Sequence, residues 1–265
     1  MTVLDVGQGD AILIETPAGH RIIVDGGPSG ATLGQALGRA LPVSVRHFDL
    51  VVLTHGQDDH VTGLVSLLDR YEAGAVLMSP LAGTSASYQA WVDALAASST
   101  PVHEAVAGQT IDLGDGVRLE VLGPPPGLIQ DSEDDQNNNS IVLRLAYGNV
   151  SFLLTGDVEA EGEAALLRQG GVLRSTVLKA AHHGSDGSST PAFLAAVQPE
   201  IAVISAGADN AFGHPSPTTR ARLAGVRLLR TDLNGRVRFE TDGRQLWADI
   251  DRGEVERLSP QSVNP

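Results

Sequence analysis

Leu50-Val51-Val52-Leu53-Thr54-His55-Gly56-Gln57-Asp58-Asp59-His60 is the stretch on which the reading of this chain turns. Four consecutive apolar residues, two of them β-branched, have the composition of a short strand buried on both faces. The polar run that follows begins where such a strand would leave its sheet, and it delivers His55, Asp59 and His60 within six residues. A lone histidine is more often hydrogen-bonded for structural reasons than a ligand. An H-x-x-x-D-H pattern directly after an apolar strand puts more imidazole and carboxylate on one tight loop than a turn requires, and that density suits a divalent cation. Asp58 reads as a solvated loop carboxylate.

Upstream, residues 3–6 and 11–16 read as strands around the Gly7-Gln8-Gly9-Asp10 turn, with a third strand at 21–25. Helical spacing at 32–41 then leads into the decisive strand. Downstream come an amphipathic stretch at 62–71, a strand at 75–78, a helix ending near Ser98, and short strands at 101–106, 109–113 and 118–122. A polar loop runs from Pro124 to Asn139, and residues 141–147 and 150–155 form a hairpin turning at Gly148-Asn149 and closing on Gly156-Asp157. The second half repeats the rhythm: helix 159–169, strand 175–179, helix 191–197, strand 201–205, helix 217–223, then three strands to Ile250. One domain over residues 1–250 is expected, followed by a tail, 251–265, without a periodic apolar face.

Hydrophobic side chains make up 42% of the 265 residues and charged ones 19%, ample apolar material for a core. No long apolar run and no charged segment leading into an apolar stretch marks a membrane span or an export signal. Cysteine is absent, which excludes disulfides, thiolate metal sites and cysteine nucleophiles and leaves any metal to imidazole, carboxylate, amide and water. The formal charge of −14 repels a polyanion at long range. Between Arg220 and Arg238, however, six arginines face one acidic residue, Asp232. Arg227, Arg230 and Arg236 are therefore the candidate DNA-binding residues, a strip able to track a phosphate backbone. Ordinary solvated strands explain the same arginines equally well.

Thr54-His55-Gly56-Gln57-Asp58-Asp59-His60 resembles the H-x-H-x-D-H loop of the metallo-β-lactamase superfamily. LDVGQGDAILIETPAGHRIIVDGG, NNNSIVLRL, FLLTGD, LKAAHHGS and VISAGADNAFGHPSP follow in an order and spacing similar to the C-terminal domain of ComEC-type DNA-uptake competence proteins, from Leu4 to about Phe239. The resemblance implies an α+β fold, a four-layer αβ/βα sandwich with metal at one edge of its two sheets. It also implies that His55 belongs to a first metal site, that Asp59 and His60 belong to a second, and that Asp157 bridges both. One of His182 and His183 would complete the second site while the other orients a phosphate or donates a proton. On its residues alone Asp157 also has a structural reading, subordinate to the metal one, as a cap of the helix that starts near Glu159.

Two positions depart from the superfamily loop. Gln57 stands where a second histidine is usual, and Gln136-Asn137-Asn138-Asn139-Ser140 stands where a third normally precedes the bridging aspartate; the ComEC-type pattern shares both. Amide oxygens are poorer zinc ligands than imidazole and suit harder ions. Gln57, with Asn138 or Asn139 as ligand or supporting group, is thus expected to favour Mn²⁺ or Mg²⁺ over Zn²⁺, in one or two ions. Lys179, the only lysine, stands three residues before the histidine pair. It is a candidate phosphate contact or partner for an active-site carboxylate, against the plain reading of a strand-end lysine that snorkels to solvent. His214, in Gly213-His214-Pro215, is a candidate proton donor to the leaving group. Asp25 is expected to fix its loop through backbone N–H groups rather than bind metal. Asp5 and Asp10 read as turn residues, and 131–135 as a solvated linker.

The leading expectation is a divalent-metal hydrolase, specifically a DNA nuclease domain that degrades the strand not taken up in natural transformation. Its partners would be DNA, single-stranded by preference, and the rest of a bacterial membrane channel on whose extracytoplasmic face it acts; no nucleotide cofactor is expected. Net acidity favours an alternative, a small-molecule phosphodiesterase or esterase of the same fold. The depleted first metal site favours another, a catalytically weak module that guides DNA.

Overall fold

Ile12, Ile14, Ile22, Val24, Leu50 and Val52 project from one face of a sheet and Leu13, Ile23, Val51 and Leu53 from the other, the period-two alternation of strands. Both sets are buried, because this sheet is covered on both faces. The computed structural model describes residues 1–252 and 256–258. Among them, the first sheet has nine strands. Thr2–Val3, Ile12–Glu15 and Arg21–Val24 form an antiparallel meander. Leu50–Leu53, Val76–Met78 and Val102–Glu104 extend it in parallel. On its other edge Val237–Thr241 pairs with Thr2–Val3, followed outward by Leu246–Ile250 and Glu256–Leu258. The sheet therefore continues past the predicted boundary at residue 250, with Leu246 opposite Leu258; most of the predicted tail lies outside the described residues.

The second sheet has seven strands. Thr110–Asp112, Val117–Gly123, Val142–Tyr147 and Val150–Leu154 are antiparallel, and Val177–Lys179, Ile201–Ile204 and Arg227–Arg230 continue in parallel. The inner faces of the two sheets meet in one core, where Ile14, Val24 and Val52 pack with Leu143, Phe152 and Val203. Helices Gly30–Ala40, Asp58–Val65 and Ala86–Ala97 cover the first sheet through Leu37, Leu64 and Trp91. Ala160–Gln169 and Pro191–Val197 cover the second through Leu166 and Phe193. Helix, sheet, sheet and helix make the four-layer α+β sandwich that the resemblance implied.

Two local differences bear on the site. The amphipathic stretch expected at 62–71 is helical from Asp58 to Val65, so the acidic motif forms the first helical turn, where carboxylates meet the positive end of the helix dipole. The chain then turns into Glu72–Ala73, paired with His47–Phe48. The polar loop before the hairpin ends in a short helix, Asp135–Asn138, capped by Asp134, whose side chain accepts from Asn137 N. No helix among the described residues is long and apolar enough to cross a membrane.

Candidate metal centre

Parallel strands deliver the functional side chains at their C-terminal ends. Leu50–Leu53 leads to His55 and the Asp59-His60 turn, Val150–Leu154 to Asp157, and Val177–Lys179 to the histidine pair. Gly9 shows how closely the segments meet: its φ is +127°, and a Cβ there would lie 2.2 Å from the Asp59 carbonyl oxygen, so only glycine fits.

Asp59, His60, Asp157 and His183 each offer an atom within 4.8 Å of the others. His183 Nε2 is 3.1 Å from Asp59 Oδ2 and 3.1 Å from Asp157 Oδ2, and His60 Nε2 is 3.2 Å from Asp157 Oδ2. Both Asp157 oxygens, His60 Nε2 and the neighbouring His55 Nε2 are buried without a hydrogen-bond partner. Buried polar atoms are almost always satisfied. Unpartnered imidazole and carboxylate atoms on His60 and Asp157, inside a cluster of four ligand atoms, with a further unpartnered imidazole nitrogen on His55, are what a divalent cation would satisfy.

The partners behind these groups fix their orientation. Asp25 Oδ1 accepts from Thr54 N at 2.8 Å, and its Oδ2 accepts from Thr54 Oγ1 at 2.7 Å and lies 2.8 Å from His60 Nδ1. Asp25 thus holds the His60 ring with Nε2 aimed inward, the carboxylate–imidazole support common behind metal ligands. Thr54 Oγ1 is 3.0 Å from His55 Nδ1, leaving Nε2 of that ring free. Burial pushes the His55 imidazole down to about 3, helped by the adjacent His60, so the ring is neutral with a lone pair available. Burial opposes charge on His60 and on Asp157. Asp157, Asp25 and Asp59 nonetheless hold His60 well above the usual histidine range, and His183 and His60 hold Asp157 well below the usual carboxylate range.

His182 and His183 separate cleanly. Both have positive φ, 47° and 52°, and Gly184 continues the left-handed turn at +84°, so successive side chains leave the strand end in different directions. His183 is 1% exposed, its Nδ1 3.0 Å from the Ser205 carbonyl oxygen and its Nε2 in the cluster. His182 is part-exposed, with Nδ1 3.0 Å from Glu159 Oε1. Burial works against protonation of His182, and the nearby Glu159 and Asp157 carboxylates outweigh it, raising its pKa. The His214 ring lies 5.5 Å from that of His182, with its pKa lowered by burial and by both histidines.

The amide residues divide differently from the sequence expectation. Asn138 Oδ1 accepts from Glu159 N and Gly162 N, capping the helix Ala160–Gln169, while its Nδ2 donates to Ser132 Oγ and Glu161. Asn139 is consumed by Ile129 N, Ile129 O and Asp135 O. Asn137, passed over in the sequence, keeps a buried, unpartnered Oδ1 and donates through Nδ2 to Glu159 Oε1 at 3.4 Å. Gln57 Nε2 donates to Asp134 Oδ2 at 2.9 Å.

Of the roles expected for Lys179, the geometry matches that of partner to a carboxylate, not that of a lysine snorkelling to solvent. Lys179 is 1% exposed, its Nζ 2.6 Å from Asp10 Oδ2 and 2.9 Å from the Ala180 carbonyl oxygen. Asp10 is correspondingly more than a turn residue: its Oδ1 is 3.5 Å from His183 Nδ1, and despite burial Lys179 holds its pKa down. The signal was present, since a lone lysine in a buried strand demands a buried carboxylate. Glu159 was missed because nothing in its own segment marks it. The candidate DNA arginines are partly neutralised: Arg230 is ion-paired with Asp232, and Arg236 with Asp249 at 3.2 Å and Asp251 at 3.0 Å. Arg227 and Arg230 lie on the edge strand of the second sheet and Arg236 beside the first, so no single strand carries the strip.

A model of the metallo-β-lactamase superfamily matches residues 4–208. The chain is 34% identical over 245 residues to Competence protein ComA of Neisseria gonorrhoeae, covering 90% of this chain and 32% of that protein. It is 27% identical over 263 residues to ComE operon protein 3 of Bacillus subtilis, covering 91% of this chain and 33% of that protein. The chain thus spans about a third of the length of these relatives. Among solved structures, a Zn²⁺-bound PqqB from Methylobacterium extorquens shares the fold at a TM-score of 0.53 and 14% identity, over 87% of this chain and 98% of that one. Matched by its model over most of its length and folded as its resemblance implied, the chain belongs to the metallo-β-lactamase superfamily, a family of metal-dependent hydrolases, and has competence proteins among its relatives.

Proposed function

We propose that this domain is a divalent-metal-dependent phosphodiester hydrolase acting on DNA, the nuclease part of a competence-type DNA-uptake protein. The observation that carries the hydrolase reading is the cluster of four convergent ligand atoms, two of whose members, His60 and Asp157, are buried with atoms lacking a hydrogen-bond partner: His60, Asp59, Asp157 and His183 would hold one cation, and His55 with Asp157 would hold part of a second site. The competence names of the relatives support DNA as substrate. From the resemblance of its motifs we further propose a place beside a membrane channel, on its extracytoplasmic face, where the domain would degrade the strand that is not transported. Amides in place of two histidines, Gln57 and the Asn137 segment, favour Mn²⁺ or Mg²⁺ over Zn²⁺.

A divalent cation at such a site supplies Lewis acidity, lowering the pKa of water and offsetting charge on a phosphoryl oxygen. The chain's own residues do the rest. Asp25 and the Ser205 carbonyl hold the His60 and His183 rings in place. His182, kept toward its protonated form by Glu159 and part-exposed beside the cluster, is placed to contact a phosphate oxygen and hand a proton to the leaving oxygen. His214 stands next to it on the solvent side and can share that role.

Incubating the protein with labelled single-stranded DNA and with a chromogenic phosphodiester, in a series of Mn²⁺, Mg²⁺ and Zn²⁺, tests the reading. DNA cleavage strongest with Mn²⁺ and abolished in Asp157→Ala is expected. Cleavage of the small ester alone would replace DNA by a small phosphodiester as substrate, a reading that the net charge of −14 and the ion-paired Arg230 and Arg236 favour.

A further inference from the structure

Phe212 stands in the open. Among the described residues it is the aromatic member of the exposed large hydrophobic side chains, with 70% of its surface in water. An isolated exposed aliphatic residue is ordinary. The position of this ring is not. It lies nearly parallel to the His214 imidazole, at 24° and 5.7 Å, and His214 in turn meets His182 edge-on at 5.5 Å. The three rings form a column running from the metal centre to solvent, with phenylalanine outermost.

The loop that carries Phe212 is built to hold it there. Asn210 Nδ2 donates to the carbonyls of Gly207 and His214, and Asn210 Oδ1 accepts from His214 N, so one side chain ties both ends of the 207–214 turn. Gly213, at φ +73°, supplies the left-handed bend that a side chain would resist. A hydrophobic ring held out by a stapled loop, beside groups suited to a phosphodiester, fits a planar apolar partner attached to that phosphodiester.

We infer that Phe212 is a specificity-determining residue: its exposed ring stacks on an unpaired nucleobase next to the phosphodiester held at the metal centre, so the site selects single-stranded DNA. This rests on the nuclease reading above and adds to it the part of the substrate that is recognised. A base can lie flat on such a ring only when its own neighbours are unstacked, which duplex DNA does not offer, and every base has a π-face, so the contact carries no sequence preference. Stacking is present before and during the reaction, so its loss raises KM rather than lowering kcat.

The test uses the Mn²⁺-supplied protein, wild type, Phe212→Ala and Phe212→Tyr, on a single-stranded oligonucleotide and on the same backbone with abasic residues. Phe212→Ala is expected to raise KM for the base-bearing strand by roughly 5- to 150-fold, the range that loss of a stacking side chain produces. Its KM for the abasic strand should match wild type, and Phe212→Tyr should restore tight binding of bases. Binding of a strand carrying 2-aminopurine, followed without added metal, should show fluorescence quenching in wild type and Phe212→Tyr that is lost in Phe212→Ala. Equal KM values for wild type and Phe212→Ala on the base-bearing strand, with DNA still cleaved, overturn the inference and leave the nuclease reading standing. Failure of wild type to cleave either strand overturns both.

Discussion

At the scale of single residues, buried charges and amides brace the segments that carry the candidate ligands. Lys179 and Asp10 form a buried ion pair directly behind His183. Removing one partner of such a pair strands the other, so Lys179→Met should destabilise the fold by about 3–5 kcal/mol in urea unfolding. Replacing both, as Asp10→Leu with Lys179→Met, should recover most of that loss. A single variant as stable as wild type would show that the pair carries no such burden. Asn138 makes an opposite prediction for metal. Its carboxamide accepts from Glu159 N and Gly162 N, so Asn138→Ala should cost about 1–2 kcal/mol of stability while leaving bound metal per chain unchanged. Loss of metal without loss of stability would make Asn138 a ligand after all. Both residues mark where sequence reading stopped: spacing along the chain exposes candidate ligands, but which oxygen of an Asn-Asn-Asn run is already engaged depends on segments some twenty residues away.

Among elements, the alternation of strands and helices was legible because each strand's apolar content and each helix's spacing are local properties. Pro191–Val197 matches its expected bounds, and the hairpin turns where Gly148-Asn149 placed it. The helix expected from residue 62 begins at Asp58 instead, since the polar motif residues themselves occupy its first turn. Elements are also where pH acts. Glu163, on the helix Ala160–Gln169, accepts from Ser189 N and Thr190 N and so ties that helix to the loop after the histidine pair. Burial pushes its carboxyl up to about 7, above its ordinary 4.5. The folded state then binds a proton more tightly than the unfolded chain. Its contribution to stability is full below the unfolded value and is lost as pH rises through the folded one. Relative to Glu163→Gln, wild type should lose up to about 3 kcal/mol between about pH 4 and pH 8, followed by denaturant unfolding at each pH. A difference that is flat or rises with pH would contradict this.

For the molecule as a whole, the two sheets each bring part of the centre. His60 and Asp59 follow a strand of the first, Asp157 and His183 follow strands of the second, and the shared core between the sheets fixes their separation. The sequence motifs named these residues, and their resemblance to a known fold implied the meeting. What they left open was which of two adjacent imidazoles turns inward, because that depends on a left-handed turn at His182 and His183. A calorimetric titration of Mn²⁺ into wild type, His183→Ala and His182→Ala decides the matter. Binding to wild type, weakened about tenfold or more by His183→Ala and little changed by His182→Ala, is the expected result. No binding to wild type, or the reverse order of the two variants, would contradict the centre described here.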